Sequence, residues 1–222
     1  MKIKRRTSPE AGVSIFELMT VTIIIFILCA FAVLRLQPAW QQIQSNAAVD
    51  QVKSTLRQGR ELSVSQRRTI VLQFLAPAPG TPCLANGGVS VCLALTEMLV
   101  VPGVPPAPAT QVQAAAPFEV IPVEGKVQFM SFNGEPDTPD AFIGVAPTAP
   151  SGVYYGATPG VPPSGMQFHS DGTFTNGTGN PINLTIFLGE PNIPSTERAI
   201  TILGNTGKVS WYQGNGQAWF RL

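Results

Sequence analysis

One carboxylate inside a membrane-length apolar run constrains this chain more than any other feature. Residues 13–34 read VSIFELMTVTIIIFILCAFAVL, and Glu17 is the only charged residue among them. A charge at that depth costs a few kcal/mol even on lenient insertion scales, so an ionisable residue there is by default a functional one. As a helix, Val13 to Leu34 spans ~33 Å at about 1.5 Å per residue, enough to cross a bilayer. A short leader with Lys2, Lys4, Arg5 and Arg6 precedes it and ends at Ala11-Gly12. Those cations favour a cytoplasmic N-terminus with the rest of the chain exported. The far side reads Arg35-Leu36-Gln37-Pro38, with no small-residue cleavage site of the secretory kind. A plain anchor fits the length but explains neither Glu17 nor Gly12.

The segment Gly12-Val13-Ser14-Ile15-Phe16-Glu17-Leu18 resembles the type IV prepilin signature: a glycine, an apolar first mature residue, a short hydroxyl-bearing stretch and a glutamate at the fifth mature position. The resemblance implies that a membrane prepilin peptidase cuts between Gly12 and Val13 and methylates the new amine of Val13, where that family usually carries phenylalanine. It also implies that Glu17 serves assembly, pairing with the terminal amine of a neighbouring pilin or pseudopilin. Such a pairing is physically sensible, because a buried carboxylate is tolerable only when paired and hydrogen-bonded.

The formal charge of +1 conceals an asymmetry. Residues 13–68 carry six cations and three acids, whereas residues 69–222 carry four cations (Lys126, Arg198, Lys208, Arg221) and nine acids. A head of net −5 repels nucleic acid, whose binding depends on phosphate neutralisation, so nucleic acid is not an expected partner. Beyond the apolar run, Trp40, Ile43, Ala47, Val52, Leu56 and Leu62 recur at spacings of three to six and predict one continuing helical face. Pro38 should kink that helix or divide it in two. Arg57, Arg60, Arg67 and Arg68 read as a solvated helix end, where cations suit the dipole.

After Arg68 the period becomes two. Thr69–Leu75 predicts a strand, as do Val91–Leu95, Met98–Val101, Phe118–Val123, Lys126–Phe132, Met166–His169, Leu184–Leu188, Ala199–Leu203 and Lys208–Tyr212. Ser170-Asp171-Gly172 and Gly204-Asn205-Thr206-Gly207 are turn chemistry, predicting hairpins and an antiparallel sheet. The proline-rich stretches 76–82, 102–117 and 136–163 read as loops or excursions outside the core.

The stalk end Leu56 to Arg68 followed by strand Thr69–Leu75 resembles the group that joins pseudopilin H of type II secretion with FimT-like minor pilins. So does the closing pattern Phe168-His169-Ser170-Asp171-Gly172-Thr173-Phe174, Leu184–Leu188, Arg198–Leu203 and Gly207-Lys208-Val209. The resemblance implies a pilin-like α+β fold: a long N-terminal helix, transmembrane then amphipathic, packed on a mainly antiparallel β-sheet head. The expected organisation is a leader at 1–12, a transmembrane helix at 13–36, a stalk helix at 37–68 and a periplasmic head at 69–222 with an insert about 76–160. That places the chain in the bacterial inner membrane as a single-pass protein.

Cys83 and Cys92 flank Asn86-Gly87-Gly88, and in an oxidising compartment they would close a hairpin loop with a disulfide contributing about 2–3 kcal/mol. The other reading is two thiols in a loose insert. Cys29, within the apolar run, reads as a small apolar residue. No metal site is expected, since His169 is the only histidine and no C-x₂-C spacing exists. Glu135, Asp137 and Asp140 lack calcium-loop spacing and read as a solvated loop. Any Ser-His or Cys-His chemistry would have to use His169, and neither a G-x-S-x-G elbow nor an H-E-x-x-H motif is present. Gly204–Val209 lacks the first glycine and the final hydroxyl of a phosphate loop. The expectation is a protein without catalysis or cofactor: a minor pseudopilin of type II secretion. The alternatives are a minor type IV pilin, FimT-like, acting in pilus assembly or DNA uptake, and a lone anchored periplasmic binding module.

Overall fold

The computed structural model describes residues 14–75, 84–86, 89–101, 110–114, 117, 119–121, 126–148, 151–160, 165–215 and 217–221. Gly12, Val13 and Cys83 lie outside them, so the cleavage site, the methylated residue and the Cys83–Cys92 pairing do as well. The chain divides into two compact units, Met1–Trp40 and Gln41–Leu222.

A single helix, α1 (Ile15–Gln66), contributes to both units and contains Pro38 within it. Its start is defined by Ser14, whose carbonyl accepts from the backbone N–H of Glu17 at 3.0 Å and of Leu18 at 3.1 Å. Its end is a Schellman closure: Arg67 turns to φ +53° and Arg68 N–H returns to the carbonyl of Ser63 at 3.1 Å. An arginine holds the left-handed position that glycine usually takes, at a cost of about 1–2 kcal/mol.

Among the described residues fourteen strands follow, mostly antiparallel. The first five are β1 (Ile70–Leu75), β2 (Leu84–Asn86), β3 (Val89–Val101), β4 (Thr110–Gln113) and β5 (Glu119–Ile121). Then come β6 (Gln128–Phe129), β7 (Val153–Tyr155), β8 (Thr158–Pro159), β9 (Met166–Phe168) and β10 (Phe174–Thr175). The last four are β11 (Leu184–Glu190), β12 (Ile193–Leu203), β13 (Lys208–Gly214) and β14 (Trp219–Arg221). Their order is β10-β9-β1-β3-β2-β6-β11-β12-β13-β14, with β4 and β5 on β3 and β7 joining β11 to β8. Among the described residues, only the Asn86–Phe129 pairing between β2 and β6 is parallel. The molecule is therefore α+β, a long N-terminal helix with an antiparallel β-head, as the sequence led us to expect.

Within the second unit α1 lies on one face of the sheet. Ala48, Val49, Val52 and Leu56 join Ile70 and Leu72 of β1, Leu93 and Leu95 of β3, Ile186 and Leu188 of β11 and Ile200 and Ile202 of β12 in the main core. The buried helical face is Ser45, Ala48, Val49, Val52, Thr55, Leu56, Gly59 and Ser63, a repeat of three and four. Of the expected face, Val52 and Leu56 are buried and Leu62 packs against the core; its N-terminal part is corrected, because Trp40 and Ile43 are 61% and 57% exposed. The reason is size. A Cβ on Gly59 would come within 3.2 Å of Leu95, so small residues allow the helix to approach the sheet more closely than a stripe of bulky ones.

The opposite face of the sheet is also covered. Ile143, Tyr154, Phe187, Ala199 and Tyr212 form a second core with Trp219 packed against it. The proline-rich segment around 136–155 is thus not an excursion. It folds back over β11, β12 and β13, and β7 pairs with β11 through Val153, Tyr154 and Tyr155. Being covered on both faces explains why β12 is buried continuously from Thr196 to Ile202 and shows no alternation.

Candidate assembly surface

In the first unit, twelve large apolar side chains between Ile15 and Phe31 are at least half exposed, among them Ile15 at 74%, Phe16 at 78% and Phe26 at 71%. An 18-residue window of α1 has mean hydropathy 2.6 with none of it buried, long and apolar enough to cross a membrane. Twelve such side chains forfeit on the order of 20 kcal/mol if left in water. The segment therefore needs a bilayer, other apolar helices, or both.

Its polar groups suit that environment. The Thr20 hydroxyl donates to the carbonyl of Phe16 at 2.7 Å, and that of Thr22 to Leu18 at 2.7 Å, so both hydroxyls are satisfied within the helix. Glu17 is exposed in the first turn, three residues after Ser14. This is capping-box spacing at the positive end of the helix dipole, a position that favours an acidic residue. The sequence reading did not use this position, although the pattern Ser14-x-x-Glu17 carries it.

The head holds its polar groups through tertiary contacts instead. Glu135 and Glu197 are 1% and 0% exposed and share a side-chain hydrogen bond, while Glu135 Oε2 accepts from Phe132 N–H at 2.9 Å. Burial first, and then facing Glu197, pushes the Glu135 carboxyl up to about 10. Asp137 accepts from the N–H groups of Ile143 at 3.1 Å and Gly144 at 2.7 Å, and Asp140 accepts from the Thr201 hydroxyl. Burial and the hydrogen bond to Asp140 push Tyr212 up to about 12. The acids expected in a solvated loop are thus structural: Glu135 and Asp140 tie the 130–148 segment to β12, and Asp137 closes that segment on itself.

Arg198 is buried on the helix side. Its Nε donates to Asn46 Oδ1 at 2.9 Å, and its Nη1 donates to the carbonyls of Glu197 at 2.7 Å and Ser195 at 3.3 Å. Burial lowers its pKa, which the charge of Glu197 partly opposes. Lower on α1, Lys53 Nζ and Arg57 Cζ lie 4.4 and 4.5 Å from the Trp211 ring centroid. Arg60 Nε donates to the Thr206 carbonyl at 3.1 Å. His169 hydrogen-bonds the Thr175 hydroxyl at 2.7 Å, inside the β9–β10 hairpin whose turn was anticipated. Both predicted turns form, and they meet: a Cβ on Gly207, at φ +59°, would lie 2.2 Å from the Gly172 carbonyl.

The chain matches no protein-family model and no curated protein. In structure it is similar to the type IV minor pilin FimU of Pseudomonas aeruginosa, at 14% identity and a TM-score of 0.39 over 78% of this chain and 89% of that one. Similarity that low has no bearing on function, and the fold class stands on the chain's own helix and strands.

Proposed function

We propose that this chain is a non-catalytic, membrane-anchored filament subunit of the pilin class, specifically a minor pseudopilin of a type II secretion system. One observation carries the reading: an apolar helical segment exposed on every side, with a single carboxylate, Glu17, in its first turn. Before assembly the segment sits in the inner membrane with the head in the periplasm, and Glu17 lies near the membrane interface. During assembly the apolar segment exchanges lipid for neighbouring helices. The carboxylate then meets the amine exposed at Val13 by cleavage after Gly12, and that pair fixes the register of the bundle. The work is mechanical, and it requires no cofactor or metal.

The same chemistry would serve a minor type IV pilin. The net −5 of residues 69–222 favours the secretion role over DNA capture. Processing gives the first test. The intact mass and N-terminal sequence of membrane-extracted protein should place the mature start at Val13, and Gly12→Val should retain the leader while still inserting. A mature start anywhere else contradicts the reading. Deleting the gene should abolish enzyme export and leave piliation and DNA uptake intact; the opposite pattern would move the chain to a pilus.

A further inference from the structure

We infer that the seam between α1 and the β12–β13 hairpin is a docking cleft for an acidic segment of a protein partner. A cleft of about 290 Å³ there is lined by Arg57, Arg60, Glu61, Lys208 and Val209. Three cations face one carboxylate, so the cleft is net positive although residues 69–222 are net negative. Among the described residues the ion pairs are Lys53–Asp50, Arg68–Glu97 and Lys126–Glu190, and none uses Arg57, Arg60 or Lys208.

Both guanidinium groups are also held in place. Arg57 rests 4.5 Å from the Trp211 ring centroid, and Arg60 is tethered through Nε to the Thr206 carbonyl, leaving its two terminal nitrogens to point elsewhere. Immobilised guanidinium groups lose less side-chain entropy on pairing with a carboxylate than free ones do. Lys208 stands exposed at the start of β13 and completes the set.

The size and neighbourhood of the cleft select an extended peptide. A second cleft of about 220 Å³, lined by Asn46, Val49, Asp50, Arg198, Trp211 and Gln213, adjoins Trp211. The first cleft is net cationic, while the second, where Asp50 and Arg198 offset each other, offers amides and an indole wall able to take the backbone of a chain running past. Nucleic acid fits less well. Affinity for nucleic acid grows with the number of phosphates neutralised, whereas the cleft presents three cations beside an acidic head. This inference rests on the second unit, Gln41–Leu222, alone and stands whichever filament, if any, the chain joins.

The test uses the full chain in nonionic detergent and a fluorescent hexaglutamate peptide, with hexaglutamine and oligothymidylate as comparisons. Hexaglutamate should bind more tightly than either and weaken as salt rises. Arg57→Gln should weaken binding about tenfold or more, as expected for loss of a charge-assisted hydrogen bond. Lys208→Gln should weaken it similarly, and among the described residues its side chain makes no hydrogen bond that folding would lose. Arg221→Gln, outside the cleft, should bind as the parent does, and near-ultraviolet spectra should verify that each variant is folded. Hexaglutamate binding no tighter than hexaglutamine, equal weakening by Arg221→Gln, or tighter oligothymidylate binding abolished by Lys208→Gln would each overturn the inference.

Discussion

The two stretches of α1, Ile15 to Trp40 and Gln41 to Gln66, share one secondary structure and answer to different solvents. The first carries an apolar window with none of it buried, and satisfies the hydroxyls of Thr20 and Thr22 on its own backbone. The second has one buried face built around Ala48, Val52, Leu56 and Gly59, and a cationic flank that reaches for Trp211 and Thr206. Helix formation is thus separable from what stabilises it. In the head, tertiary burial does so; in the first unit, stabilisation awaits lipid or neighbouring helices.

The largest effect should come from one substitution in each stretch. Leu56→Ala removes a fully buried side chain and should cost the head about 2–5 kcal/mol in a denaturant titration. Phe26→Ala, at a side chain 71% exposed, should leave that titration unchanged. Equal losses would erase the distinction between the two stretches.

A smaller effect sharpens the contrast in how polar groups are satisfied. The folded head holds Glu135 protonated up to about pH 10, whereas the unfolded chain releases that proton near 4.5. The folded state therefore binds more protons across that window, and stability is full below it and drains as pH rises. Glu135→Gln keeps the acceptor for Phe132 N–H and supplies a donor toward Glu197 without a titrating proton. It should stabilise the head by about 1–3 kcal/mol at pH 9 and have almost no effect at pH 4. Melting temperatures of both proteins across pH decide this, and parallel curves would refute it.

The smallest effect lies at the end of the helix. Arg67→Gly relieves the left-handed strain at φ +53° and should stabilise by up to about 1 kcal/mol, visible as a small rise in melting temperature. A loss would mean that the arginine side chain contributes more than the strain removes.

Legibility in the sequence followed physical locality. The apolar run, the turns at Asp171-Gly172 and Gly204–Gly207, and most strands are short-range patterns, and they formed where expected. The sheet-facing side of α1 was legible at Val52 and Leu56 but not at Gly59, which hydrophobicity does not register although Leu95 leaves little room for a larger residue there. The burial of Glu135 and the anchoring of Asp140 were invisible because their partners, Glu197 and Thr201, lie some sixty residues away in sequence. β7 and the Ile143–Tyr154 cluster were hidden by prolines that read as loop, although an edge strand and a covering segment tolerate proline well. The docking seam was half visible: Arg57 and Arg60 were noted as a solvated helix end, but nothing local showed that Trp211 and Lys208 face them.

Glu17→Ala tests the central claim most directly. Removing one partner of a buried ion pair typically costs about 3–5 kcal/mol, enough to shift assembly by roughly two to three orders of magnitude. The variant should insert and be cleaved like the parent, yet lose crosslinking from Val21 to partner subunits and fail to support secretion. Crosslinking and secretion at parental levels in a correctly processed Glu17→Ala protein would contradict the account, leaving the carboxylate as no more than a cap on its own helix.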